Sequence, residues 1–130
     1  MATPYGKDLR LIFVMFGDRY PVLLPKGITM KVYLDDVRIP SSDWKLVKWP
    51  NEAIKLLKTG KVTEISLDHD LGNDRKGTGN DVILWMEEKV INSSFIPPKI
   101  HIHTANSSAR SKMEKGVKSI LKHYHEGNKR

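Results

Sequence analysis

The chain has 130 residues, 39% hydrophobic and 28% charged, which suits one globular core and leaves no room for a second independent domain. Lysine and arginine outnumber aspartate and glutamate by 22 to 15, and the resulting formal charge of +7 draws polyanions at long range without specifying one. The absence of cysteine excludes disulfide frameworks and thiolate metal sites and is compatible with a reducing cytoplasm, and no apolar run approaches the length of a membrane span.

The first apolar stretch, Leu9 to Phe16, follows Lys7 in the manner of a signal sequence. It is short, however, Asp18 and Arg19 come directly after it, and a small-residue cleavage pattern is lacking, which argues against export. Arg10 to Phe16 and Tyr20 to Leu24 suit the arms of a hairpin about a Gly17-Asp18 turn. The alternative is that residues 1–29 are an upstream-start artefact. Lys26-Gly27 can be encoded by a purine-rich stretch like a bacterial ribosome-binding site, a short spacer ahead of Met30, so that synthesis would begin at Met30. The domain proper is then expected over residues 30–124, with 125–130 a flexible tail.

From Met30 onward, short β-rich runs alternate with amphipathic stretches, the pattern of a parallel sheet with helices packed on it. Lys31 to Leu34 is predicted as a first strand ending at Asp35, and Trp44 to Lys48 as a second, joined by a polar, proline-containing loop. Pro50 at a first turn, an apolar stripe of Ala53, Ile54 and Leu57, and Gly60 as a stop predict a helix. Val62 to Leu67 is the third strand. After a loop containing Gly72, Gly77 and Gly79, Asn80 or Asp81 is expected to cap a helix through Val90, which Pro97-Pro98 cannot extend. Ile100 to His103 is the fourth strand. A last helix is expected from about Ser108 or Ser111 to Tyr124, with Ser111 and Glu114 matching a capping box. The link from Asp35 to Asp43 is shorter than the usual parallel crossover, yet at ~3.3 Å per residue it spans a short strand.

In a parallel sheet, ligands bind beyond the carboxyl ends of the strands, where Asp35, Asp68 and Thr104 each directly follow one. The carboxylates of Asp35, Asp36, Asp68 and Asp70 repel one another unless a cation sits among them. Mg²⁺ (or Mn²⁺) accepts such hard oxygen ligands while keeping waters and substrate oxygens. The alternative is that Asp35 or Asp36 caps a turn and Asp70 is solvated. A second constellation joins His101, His103, Thr104, Asn106 and Arg110. A histidine near neutral pKa moves protons, while Thr104, Asn106, Arg38 and Arg110 have the donors to position phosphate oxygens. Strand histidines are also often structural, and that fits His101 better than His103. His69, between two acids, suits a general acid or a loop brace. The glycines suggest sharp turns or close approach to a ligand, but without Walker spacing. Lys112, Lys115, Lys118 and Lys122 form the basic face of a solvated helix.

Asp35-Asp36 after the first strand, Asp68 after the third, Gly79 before a helix and Thr104-Ala105 after the fourth resemble the receiver domains of response regulators. More narrowly, LDDVR, SLDHDLG, TGNDVILW and HTAN are similar to motifs of the cyclic-phosphate-processing receiver-like proteins of bacteria and their phages. The resemblance, from Met30 to about Ile120, implies an α/β fold: a three-layer, receiver-like (flavodoxin-like) parallel sheet. It is truncated, lacking the helix after the first strand and the fifth strand with its lysine. It further implies Mg²⁺ on Asp35, Asp36 and Asp68, with Asp68 at the phosphoacceptor position. The implied ligand is a 2′,3′-cyclic phosphate RNA end or a related cyclic nucleotide, processed in RNA repair or phage–host conflict.

The expected function is therefore a metal-dependent phosphoesterase with Asp68, His69 and His103 in catalysis. A non-catalytic binding module, a phospho-accepting switch and a small interaction protein are the competing expectations. No membrane partner is expected. The open sheet edge left by the missing fifth strand is expected to pair with another copy or with Arg10 to Phe16.

Overall fold

The computed structural model describes residues 11–15, 21–25 and 28–128, the first two stretches as backbone alone. Strands β1 (Leu11–Met15) and β2 (Pro21–Pro25) pair antiparallel as a two-stranded sheet, Leu11 opposite Pro25 and Met15 opposite Pro21. The expected Gly17-Asp18 turn lies outside the described residues. Strands β3 (Met30–Leu34), β4 (Trp44–Val47), β5 (Val62–Leu67) and β6 (Lys99–Ile102) form one parallel sheet in the order β4-β3-β5-β6. Among the described residues β1 and β6 belong to separate sheets, so β1 does not extend the edge of β6, and that part of the edge-pairing expectation is corrected.

Helices α1 (Pro50–Leu57), α2 (Gly79–Asn92) and α3 (Ser107–Asn128) complete the domain, with a 3-10 turn at Asp74–Lys76. None of the described helices is long and apolar enough to cross a membrane. Helix α1 carries the chain from β4 past β3 to β5, and α2 carries it onward to β6. Both crossovers run in the same direction, so right-handedness places both helices on one face of the sheet. Helix α3 packs against α2 and joins that layer. Val32, Leu34, Ile65 and Leu67 accordingly share a single core with Leu56 of α1, Met86 of α2 and Met113 of α3.

The β3 to β4 connection runs the other way, and a helix there would lie on the opposite face. No helix forms in it, as the sequence indicates. Of the layers of a flavodoxin-like fold, the described residues thus supply the sheet and one helical layer. The second face of the sheet carries rows set by strand register. Trp44, Lys31, Glu64 and Lys99 form one row, and Leu46, Tyr33, Ser66 and His101 the next. Side chains of alternate strand residues share a face, so the following row is Asp35, Asp68 and His103.

Two helix boundaries differ from expectation. Helix α2 is capped by Thr78, whose N–H donates to the Asp81 carboxylate at 2.8 Å, rather than by Asn80 or Asp81. Helix α3 begins at Ser107, and Asn106 holds its first turn by accepting from the Ala109 N–H at 3.1 Å. Ser111 therefore lies inside the helix and not at a capping box. The same helix runs past Tyr124 to Asn128, and His123 still bonds back to the Ser119 carbonyl at 2.8 Å.

Candidate active site

Three backbone bonds carry the ladder one residue beyond the strand ends. The Asp35 N–H donates to the Val47 carbonyl at 3.1 Å, Asp68 to Leu34 at 3.0 Å, and His103 to Leu67 at 3.0 Å. These residues therefore emerge side by side, and one ligand atom from each of Asp35, Asp68 and His103 lies within 4.8 Å of the others. Adjacent strand ends, not chain proximity, assemble the cluster.

Asp35 is 1% exposed. Its Oδ1 accepts from the N–H groups of Val37 at 2.8 Å and Arg38 at 2.9 Å, and its Oδ2 meets His103 Nε2 at 3.0 Å. Burial alone would raise its pKa, but the amides of Arg38 and Val37 together with His103 outweigh that and hold the carboxyl below the ordinary carboxylate range. Ser66 Oγ lies 2.7 Å from His103 Nδ1, and the imidazole stacks on Tyr33 at 4.3 Å. Burial pushes the His103 pKa below 6.5, with help from Arg38 and against the attraction of Asp35 and Asp68. The neutral ring then donates from Nε2 to Asp35 and accepts the Ser66 hydroxyl proton at Nδ1.

A cavity of about 420 Å³ opens over the two acids of this row, lined by Asp35, Asp36, Asp68 and Asp70 with Arg38 and Thr104; His103 does not line it. Asp68 Oδ1 accepts from the His69 N–H at 2.8 Å, leaving Oδ2 available. Its backbone is held by a close approach: a Cβ on Gly79 would fall 1.7 Å from the Asp68 carbonyl oxygen, so only glycine can open α2 there. Gly72, at φ +84°, lets the loop turn beside Asp36. The Arg38 guanidinium donates to the His103 carbonyl.

A family model described as the cyclic-phosphate processing receiver domain matches residues 30–119. The chain belongs to this family. Searches of curated proteins and of solved structures find no match.

Of the expected residues of this receiver domain, His69, His103, Asn106 and Arg110 do not line the cavity, whereas Asp70 does. His69 braces its loop, Nδ1 lying 2.9 Å from Asp70 Oδ1, while Asp70 is 63% exposed. Asn106 spends its side-chain oxygen on the start of α3, accepting from Ala109 and from the Ser108 hydroxyl. Arg110 donates to the carbonyls of Ile102 at 3.3 Å and Thr104 at 2.9 Å. Thr104 is buried and its hydroxyl oxygen accepts from the Asn106 N–H at 3.2 Å, which leaves the hydroxyl proton to donate. Ser66 and Tyr33, which hold His103, were not among the expected site residues; strand alternation with Asp35 and Asp68 is the signal that points to them.

The donor set suits a hard divalent cation. Asp68 has a free oxygen, Asp35 Oδ2 retains one lone pair beyond its bond to His103, and Asp36 lines the same cavity. The imidazole would join such a set only in its other tautomer, with Nδ1 donating to Ser66, an option that suits Mn²⁺ better than Mg²⁺.

Proposed function

We infer that this receiver domain opens 2′,3′-cyclic phosphates of RNA ends or related cyclic nucleotides by metal-dependent hydrolysis. The observation that carries the reading is the cluster of Asp35, Asp68 and His103, with a cavity over its two acids that is also lined by Asp36, Arg38 and Thr104. Mg²⁺ or Mn²⁺, held by Asp36, Asp68 and Asp35 and joined at the rim by Asp70, would supply charge neutralisation to the phosphoryl group.

The chain's own groups do the rest. Arg38 and the Thr104 hydroxyl donate to non-bridging phosphate oxygens, while Arg110 and Asn106 hold the loop that presents Thr104. Water adds to phosphorus and one ring P–O bond breaks. The proton given up by water is matched by one gained by the freed ribose hydroxyl, leaving a phosphomonoester. Neither His69 nor His103 lines the cavity, so a proton moved by either would travel through an intervening water or through the carboxylate it bonds, Asp70 and Asp35 respectively.

Incubation of the full chain with a 2′,3′-cyclic mononucleotide and Mg²⁺ is expected to yield a monoester. EDTA should stop the reaction, and Asp68→Asn should slow it by about 100-fold or more, in the range for loss of a central electrostatic group. Intact ligand recovered from a tight complex would replace catalysis with a binding role. A second reading, a phospho-accepting receiver, draws on the free oxygen of Asp68. Covalent labelling of Asp68 by a small phosphodonor, with cyclic phosphate left unopened, would establish it instead.

A further inference from the structure

We propose that the helix-free face of the sheet is a stacking platform for unpaired nucleobases, so that a single-stranded polynucleotide is bound in preference to a free cyclic mononucleotide. The inference rests on the proposed function for the terminal phosphate, but the platform has its own support. A sheet face made to be covered by a helix is rich in valine, isoleucine and leucine. This one offers Leu46 alone among aliphatic residues in its two full rows, and otherwise rings, charges and Ser66.

The rings form one connected array. Trp44 meets Tyr33 edge-on at 6.0 Å and His101 edge-on at 6.2 Å, and Tyr33 stacks on His103. Tyr33 and Trp44 are half-buried, while the His101 side chain keeps 39% of its surface exposed. Among the described residues no helix lies over them. Four-stranded sheets bearing exposed aromatic rings bind single strands by stacking two or three bases, and tolerate many sequences because every base has a π-face.

The charges suit the same ligand. Glu64, the one acid in these two rows, lies between Lys31 at 3.3 Å and His101 at 3.1 Å, with Lys99 in register on the next strand. Lys31 also sits 5.6 Å from the centre of the Trp44 ring. The platform runs directly into the site, since His103 stacks on Tyr33 and bonds Asp35. A strand whose cyclic-phosphate end enters the cavity would lay its preceding bases back across Tyr33, His101 and Trp44.

The test is fluorescence anisotropy with a labelled octaadenylate RNA carrying an ordinary 3′-hydroxyl, in EDTA. Neither metal nor cyclic phosphate then enters, so failure here and failure of the ring-opening assay are distinguishable. The full chain should bind this strand at least about tenfold more tightly than an abasic strand of equal length and charge. Trp44→Leu should weaken binding by about 5- to 100-fold, the loss that follows removal of one stacking ring. Equal affinity for the two strands, no binding, or full affinity in a folded Trp44→Leu protein would overturn the proposal. If that variant does not fold, the comparison of the two strands on the unaltered chain decides.

Discussion

Gly79 shows how a residue without a side chain fixes one that matters. The start of α2 presses against the backbone of Asp68 so closely that any Cβ collides with a carbonyl oxygen, a contact that no rotamer change can relieve. Gly79→Ala is expected to cost about 3 kcal/mol, the upper part of the range for overpacked interiors, read as a lowered urea midpoint at unchanged slope. At this scale the sequence was informative about charge and silent about partnership. Asp35, Asp36 and Asp68 could be singled out because three acids after two strand ends need a reason to be there. Asp35 nonetheless also holds its own turn, through the amides of Val37 and Arg38, so the capping role set against metal binding is present in the structure. Ser66 escaped notice because its value lies in an imidazole two strand positions away in space and far away in sequence. A serine in a strand carries no mark of that.

The elements themselves were legible wherever hydrophobic period decided them. Strand β5 has the predicted bounds, Val62–Leu67, and β3, β4 and β6 differ by a residue or so at their ends. Helix starts were less legible, since a cap depends on which polar side chain the preceding loop points at the first turn. Asn106, expected on phosphate, illustrates this: its oxygen takes the Ala109 N–H and the Ser108 hydroxyl. Asn106→Ala should therefore destabilise the protein by about 1 kcal/mol, while Asn106→Asp or Asn106→Ser should restore most of that, as urea unfolding would record. A loss of ligand affinity with no change in stability would instead return Asn106 to the phosphate.

For the whole molecule, the parallel direction of the sheet followed from the alternation of strands and helices, whereas the order β4-β3-β5-β6 comes from the structure. The one-sidedness of the helical layer was not expected, although the absent helix between the first two strands implied it. Acid should expose the cost of burying the site. His103 and Asp35 both have folded-state pKa values below their ordinary 6.5 and 3.8. In each case the unfolded chain binds the proton first, so the stabilisation is complete above the ordinary value and declines as pH falls through and below it. Urea midpoints should fall first on acidification from pH 6.5 and again below 3.8, with the first decline flattened in His103→Gln; a midpoint independent of pH between 7 and 5 would contradict this assignment. The span from Asp35 to Asp43 is at once the tether between β3 and β4 and the carrier of Asp36 and Arg38. Insertions that most surface loops absorb would here displace a wall of the cavity and the neighbouring strand together, so tolerance to length variation should be lowest in the one connection that looks most like a simple loop.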